Sequence, residues 1–395
     1  TQSFGMNYIL FDGEHRDALL PFTYTRPVAE IRIGILTIRE KWELFLGSTT
    51  TTVTEDYLSE KYPMVEMEQN IMINASYTPN EALVHQIKNL KENQAVYDGD
   101  IMVAFFSLED QVIDIDTLEV FQCEGELLKV ETTWDIFSKN AAAIKADFKL
   151  LTDNRISAPI PEQTVAFNPE AIFIEEGAQL PLCVLNATNG PIYIGKDAEI
   201  MEGSMIRGPF ALCEGSILKM GTKIYGPTTV GPHSKVGGEV NNSVFFGYSN
   251  KGHDGYLGNS VIGEWCNLGA DTNNSNLKNN YSEVRLWSYE TENFAKTGLQ
   301  YCGLMMGDHS KCGINTMFNT GTVVGVSANI FGSGFPRNFI PSFSWGGAKG
   351  FTTFLTSKAF EVATEVMKRR GHEFSSQESA ILEQVFELSA VYRTN

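Results

Sequence analysis

The 395 residues contain no CxxC pair, no surplus of basic residues and no apolar run long enough to span a bilayer. Each absence closes off a class of function. The six cysteines, Cys123, Cys183, Cys213, Cys266, Cys302 and Cys312, stand singly, which removes zinc-ribbon and dithiol redox motifs and fits a reduced, cytoplasmic setting. Lysine and arginine number 30 against 48 aspartate and glutamate, a formal charge of −18. Nucleic acid and anionic membrane would be repelled at long range, whereas a small phosphorylated ligand needs only a few local cations. No secretory signal is evident, and Thr1–Gly5, ahead of Met6, reads as a remnant or a frayed end.

What is present is a period of six. Ile194, Ile200, Ile206, Leu212, Leu218, Ile224, Val230 and Val236 follow one another without a miss. Four places after each comes a small or β-branched residue (Ala198, Ser204, Ser216, Thr222, Thr228, Ser234, Val240), with Phe210 the exception. A helix of 3.6 residues per turn cannot use this spacing. A hexapeptide β-helix can: the aliphatic residue fills the interior and the small one permits the corner. Three hexads close a triangular coil of about 18 residues, and coils stack at about 4.8 Å, so residues 18 apart share a face. The pattern extends to Ile174 and Leu180 before, Ile262 and Leu268 after, and resumes at Met306, Cys312, Phe318, Val324 and Ile330. From Val236 to Ile262 is 26 residues, four hexads plus two. That remainder predicts a loop thrown out at about 241–260, and such loops carry binding sites.

Before the hexads, short apolar runs alternate with amphipathic stretches. Tyr8–Phe11, Ile71–Ile73 and Ile101–Phe106 read as strands, Ile31–Leu46 as a helix stopped by Gly47, and Asn80 as the cap of a second helix bearing Val84, Ile87 and Leu90. Such alternation implies an α/β, Rossmann-like domain with a largely parallel sheet. Thr133–Leu151 reads as a helix leading to a linker near Ser157–Pro161, and Phe351–Tyr392 as a helical tail. The expected domains are 6–155 (α/β), 156–345 (left-handed parallel β-helix) and 346–395 (helical tail).

An α/β domain followed by a hexapeptide prism resembles the bifunctional N-acetylglucosamine-1-phosphate uridyltransferase/glucosamine-1-phosphate N-acetyltransferase family. That family opens with a loop GxGTRxxPLTxxxPK, whose glycines let backbone N–H groups meet nucleotide phosphates. The matching stretch here runs from Ile9 through Asp12, Gly13, Glu14 and Arg16 to Leu20, Pro21, Arg26, Pro27 and Val28. One glycine remains, two carboxylates stand where phosphates approach, and Val28 replaces the lysine. The resemblance therefore implies a divergent sugar-1-phosphate nucleotidyltransferase, with Gly13, Arg16 and Arg26 as weak nucleotide contacts, UTP as nucleotide and Mg²⁺ as cofactor if it is active. Asp98 and Asp100 correspond loosely to the family's acidic pair, and a surface turn is the competing reading.

The resemblance is stronger in Glu239–Lys278, EVNNSVFFGYSNKGHDGYLGNSVIGEWCNLGADTNNSNLK. It covers the acetyltransferase signature without a gap: His253 three residues before Tyr256-Leu257-Gly258, then Asn267-Leu268-Gly269-Ala270-Asp271-Thr272, then Asn276. The resemblance implies that His253 is a general base, that Tyr256, Asn267 and Asn276 hold an amino sugar, and that Lys223 and Lys278, with Lys251, offer cations to its phosphate. An imidazole of near-neutral pKa suits the base, because an ammonium cannot attack a thioester. The family's lysines after Glu-Val are here Asn241 and Asn242. In the later coils Ala270, Gly313, Gly332 and Arg337 correspond to the coenzyme A groove; glycine in a solenoid corner is the structural alternative.

These readings point to an amino-sugar phosphate N-acetyltransferase using acetyl-CoA, with glucosamine 1-phosphate as acceptor, in UDP-N-acetylglucosamine and hence cell-envelope synthesis, working as a cytoplasmic homotrimer. The alternative is a non-catalytic or regulatory sugar-nucleotide-binding trimer that keeps only the folds. A zinc carbonic anhydrase prism does not fit, because His233, His253 and His309 are too widely spaced for its metal cluster.

Overall fold

The computed structural model describes residues 5–393, so Thr1–Phe4 of the expected terminal extension, and Thr394 and Asn395 of the expected tail, lie outside the described residues. Contacts divide the chain into two compact units. The first holds the N-terminal stretch to Leu19, Arg26–Ile31 and Leu36–Glu131; the second holds Leu20–Thr25, Arg32–Ile35 and the chain from Thr132 onward.

The first unit is built on a six-stranded sheet in the order Thr50–Val53, Asn7–Phe11, Gln69–Asn74, Ile101–Leu108, Gln94–Asp98, Glu119–Gln122. Asn7–Phe11 is parallel to both neighbours, but Ile101–Leu108 runs antiparallel to the strands beside it, so the sheet is mixed rather than largely parallel. Helix α1 (Ile38–Leu46) begins seven residues later than its periodicity suggests. Thr37 and Glu40 form a capping box at its start, and Gly47 closes it in the left-handed conformation. Its Trp42 is buried, and the indole N–H donates to the Tyr77 carbonyl at 2.9 Å. Helix α2 (Glu81–Lys88) is capped by the Asn80 side chain, as the sequence implies.

The second unit is the left-handed prism. Its first face stacks nine parallel strands from Ile172–Ile174 to Phe339–Ile340; its second runs from Glu199–Ile200 to Ser344–Gly347; its third from Val165–Phe167 to Tyr256–Gly258. The eight hexad residues Ile194 to Val236 all point inward, 0–1 % exposed, each contributing about 1.5–3 kcal/mol of apolar burial. Two faces are covered. On the first, the Phe22 ring packs on Phe246 at 5.1 Å, and α4 (Asn140–Thr152), which follows the short α3 (Asp135–Ser138), sends the Asn140 amide to Thr229 at 3.0 Å. The helix expected at Thr133–Leu151 as part of the α/β domain is thus α3 and α4, in the unit of the prism. Gly34 explains why residues 31–37 are not helical: it sits at φ +75°, its N–H donates to Asn140 at 2.6 Å, and a Cβ there would meet Asp147 at 2.6 Å. On the second face lie the tail helices α5 (Thr356–Lys368) and α6 (Ser376–Leu388), where Arg370 donates to the His233 carbonyl and His372 meets the Tyr248 and Trp265 rings edge-on. The third face exposes Val165, Phe167 and Met205, each about half-accessible.

The ejected loop expected at 241–260 is absent from that position. Strand partners are 18 apart at Ile217↔Lys235 but only 16 at Lys223↔Glu239 and 15 at Lys235↔Asn250, then 17 at Asn250↔Asn267. The 26-residue interval is therefore five sides, three of them shortened, not four sides and a loop. Corners are tightened by left-handed Gly238, Asn242, Tyr248 and Asn259. The chain leaves the prism later, between Asn267 and its partner Lys311, and carries the hairpin Arg285–Ser288/Asn293–Lys296 outward.

Candidate functional site

His253 stands exposed on the corner between the second and third faces, in the turn from Lys251 to Gly255. Because Asn250, Asn267, Lys311 and Asn329 are successive partners on the second face, the residues three places on, His253, Ala270, Ile314 and Gly332, occupy successive levels of one corner. Gly313 lies beside this column. A Cβ at Gly269 would collide with Gly313 at 2.6 Å, so that glycine is structural, whereas a Cβ at Gly313 would meet nothing nearer than 3.8 Å. Packing does not demand glycine at 313, and its bareness leaves the corner open. Gly332 is exposed at φ +96° and needs to be glycine for its backbone. The Ala270 carbonyl accepts from Asn315 at 2.8 Å, while the Ala270 N–H makes no hydrogen bond among the described residues.

On the third face, Lys223, Glu239 and Tyr256 are stacked partners, as are Tyr225, Asn241 and Gly258. The Tyr256 hydroxyl accepts from Asn276 at 2.9 Å and from Asn241 at 3.3 Å, and Asn276 also donates to Asn259 at 2.8 Å. Asn241, standing where the resembling family has lysine, thus joins a neutral amide network. Tyr225 donates to the Glu239 carboxylate, and burial followed by that carboxylate raises its phenol. Lys223, Arg207, Tyr225, Glu239, Met205 and Phe167 line an open cavity of about 570 Å³. Asn267 is not on this face: it projects from the second face between Asn250 and Lys311, bordering the His253 corner from the other side. Lys278 is half-buried, and Arg337 is exposed with its guanidinium 5.4 Å from the Phe351 ring. Lys251, a candidate phosphate contact in the sequence, is instead 2 % exposed and points into the prism. An interior lysine breaks the aliphatic pattern although it stands six residues from both Phe245 and Leu257; the register itself shortens between 236 and 245 and between 257 and 262.

In the first unit, a cavity of about 470 Å³ opens where Asn7–Phe11 and Thr50–Val53 end, lined by Asp12, Gly13, Glu14, Arg16, Glu55 and Asp56 among others. Arg16 is its cation, and it is engaged with Asp12 at 3.3 Å, Glu55 at 3.4 Å and the Tyr57 hydroxyl at 3.1 Å. Burial pushes that Tyr57 phenol up to about 12. Asp12 is structural, since it accepts from the Val28 N–H at 2.8 Å and the Thr54 hydroxyl at 2.5 Å, which ties down the loop. Arg26 is 2 % exposed and does not line the cavity. Asp98 is held by Lys129 at 2.8 Å and by the Tyr77 hydroxyl at 2.9 Å, and the Lys129 hydrogen bond leads in keeping its carboxyl below the usual range. Asp98 is thus occupied, and among the described residues no group of three His, Cys, Asp or Glu is placed to hold a metal ion.

Residues 8–156 match the sugar nucleotidyl transferase family. Over 216 residues the chain is 32 % identical to a bifunctional sugar-1-phosphate nucleotidylyltransferase/acetyltransferase of Sulfurisphaera tokodaii, covering 54 % of this chain and 47 % of that protein. Over 89 residues it is 35 % identical to the bifunctional protein GlmU of Methanocaldococcus jannaschii, covering 22 % of this chain and 21 % of that one. The chain thus spans about half or less of the curated relatives it matches. Among solved structures, the UDP-N-acetylglucosamine acyltransferase of Francisella novicida aligns with 59 % of this chain and 76 % of its own at 14 % identity, with a TM-score of 0.32. No helix among the described residues is long and apolar enough to cross a membrane. Residues 8–156 thus match the sugar nucleotidyl transferase family, and about half of the chain is similar to a bifunctional sugar-1-phosphate nucleotidylyltransferase/acetyltransferase.

Proposed function

We propose that the prism transfers the acetyl group of acetyl-CoA to the amine of an amino-sugar phosphate, glucosamine 1-phosphate in the first instance, as a step toward UDP-N-acetylglucosamine. The carrying observation is the corner itself: an exposed His253, one coil from an Ala270 N–H with no partner among the described residues and beside a Gly313 that packing does not require. The His253 imidazole takes the proton as the sugar amine adds to the thioester carbonyl. The carbonyl oxygen becomes an oxyanion that the Ala270 N–H is suited to meet. Collapse of the intermediate forms the amide, breaks the C–S bond and releases coenzyme A, which takes up a proton as thiol. Tyr256, Asn276 and Asn267 position the sugar, Lys223 and Lys278 face its phosphate, and Gly332 and Arg337 border the coenzyme.

The functional division we propose is 6–155, 156–345 and 346–395, although α3 and α4 pack on the prism. The first unit, with carboxylates around its cavity, is a poor host for UTP, so uridylyl transfer is weak. We also propose a homotrimer, in which two further copies cover the exposed third face and complete the half-open corner. A second reading, a binding protein without chemistry, is favoured for the first unit alone by the engagement of Arg16 with Asp12 and Glu55. The test is release of coenzyme A thiol by the full chain from acetyl-CoA in the presence of glucosamine 1-phosphate. Turnover that depends on both substrates supports the reading, and none at millimolar sugar phosphate refutes it.

A further inference from the structure

Position 251 belongs to the interior ladder. Lys251 pairs with Val236 below, and its neighbour Asn250 pairs with Asn267 above, which sets Leu268 over it. Every other residue of that column near it is aliphatic, and a lysine there must bring a charge out of water. The structure gives every proton of the ammonium an acceptor: the Nζ donates to the carbonyls of Gly237 at 2.8 Å, His253 at 3.1 Å and Gly255 at 2.7 Å. Room for this is cut into the backbone. Gly238 lies at φ +73°, and a Cβ there would stand 2.8 Å from both the Lys251 Nζ and the His253 carbonyl oxygen.

Two of the three carbonyls, those of His253 and Gly255, lie in the turn that carries the residue proposed as the base. The His253 carbonyl accepts from no other group among the described residues, while Gly255 also accepts from Glu239 N–H at 3.2 Å. In a trans peptide the C=O and N–H point in opposite directions. Drawing the His253 carbonyl inward therefore turns the Asp254 N–H outward, and that N–H makes no hydrogen bond among the described residues. We infer that Lys251 is a positioning residue: from inside the prism its ammonium fixes the peptide planes of the turn 252–255, setting the His253 side chain and the Asp254 N–H on the exterior of the corner. This rests on the reading of that corner as an acetyl-transfer site. An aliphatic residue would fill the slot and leave the turn without its inner anchor, so the lysine serves placement rather than packing.

The test uses the full-length protein with Lys251→Met, which keeps the volume and removes the donors, and Lys251→Gln, which restores two neutral ones. In Lys251→Met, kcat should fall about tenfold or more, in line with small misplacements of reacting groups, while KM for acetyl-CoA stays within about twofold. Amide exchange across 252–256 should quicken with circular dichroism unchanged, and Lys251→Gln should recover part of both. Wild-type kcat and wild-type exchange in the Met variant would overturn the inference. Should both variants unfold, ¹⁵N-lysine spectra of the wild type decide: one ammonium shielded from water exchange is expected, and its absence would overturn the inference. A wild type without acetyl transfer would end the proposed function, and the exchange and ammonium measurements would still decide on Lys251.

Discussion

The Asn276 amide donates to the Tyr256 hydroxyl at 2.9 Å, and the Asn241 amide reaches the same oxygen at 3.3 Å. One phenol thus orders two amides from different coils on the third face. In Tyr256→Phe both lose this acceptor, Asn276 keeping Asn259, at a cost of about 1–3 kcal/mol. We expect KM for the sugar phosphate to rise about tenfold with kcat changed less than threefold, checked by steady-state kinetics at saturating acetyl-CoA. An equal fall in kcat would mean that the phenol acts on the transition state instead.

His253→Ala should lower kcat by about 10²–10⁴, the usual contribution of a general base, and leave KM for acetyl-CoA unchanged, since the coenzyme contacts we propose lie on later coils. The deficit should shrink as pH rises and free amine becomes abundant. Asn267→Ala should raise KM for the sugar instead. Full turnover of His253→Ala at neutral pH would remove the base from the scheme.

Much of the fold is legible in the residues, for identifiable reasons. The ladder from Ile194 to Val236 is uninterrupted, and burial selects for aliphatics at each of those positions. The pattern is lost where a charge stands inside the prism and where the sides shorten. Lys251 hides an interior position behind a charge, and the short sides around Gly238 and Asn242 depart from six. Ile31 and Ile35 fit a helical period and so suggest too early a start for α1, whereas Gly34 takes a left-handed turn secured by Asn140, more than a hundred residues away. Such a partner leaves no mark on local sequence. Asp12 shows the same limit: it reads as a charge obstructing phosphates, while its hydrogen bonds to Val28 and Thr54 hold the loop.

That bonding gives a stability prediction. Asp12→Ala strands the Val28 N–H and the Thr54 hydroxyl and frees one side of Arg16. It should destabilise the first unit by about 2–3 kcal/mol, read as a lower midpoint in urea. If the substitution instead leaves stability unchanged and brings uridylyl transfer from UTP to the level of an efficient enzyme, Asp12 is an obstruction and not a tie.

Burial holds the Lys251 ammonium down at about 8, against an ordinary lysine value of 10.5, with Asp254 and Glu239 opposing the shift. The native state therefore gives up this proton at lower pH than the unfolded chain, which binds more protons between about 8 and 10.5. Stability from this group consequently rises with pH across that window, by roughly 3 kcal/mol in total. Buried thiols such as Cys266, pushed up to about 12, act in the opposite sense. The useful quantity is thus the difference between wild type and Lys251→Met: the variant's stability advantage should shrink from pH 8 to pH 10, and a difference independent of pH would show that the ammonium is not buried as described.

The third face carries the last prediction. Val165, Phe167 and Met205 are about half-exposed on a flat sheet, and an apolar surface of this kind favours covering by another protein surface. On a prism whose first face is occupied by residues 20–25, 32–35 and α4, and whose second is occupied by the tail helices, the third is the one available to neighbouring copies. Three copies related by a threefold axis would each present it once, bringing Lys223, Tyr225 and Tyr256 beside a neighbouring subunit. Light scattering should therefore give three times the mass of the 395-residue chain. Met205→Glu combined with Phe167→Asp places charges on the face without touching an interior hexad, so it should yield a folded monomer with unchanged circular dichroism and turnover lowered at least about tenfold. A wild-type monomer at working concentration, or a fully active monomeric variant, would show that the corner is complete within one chain.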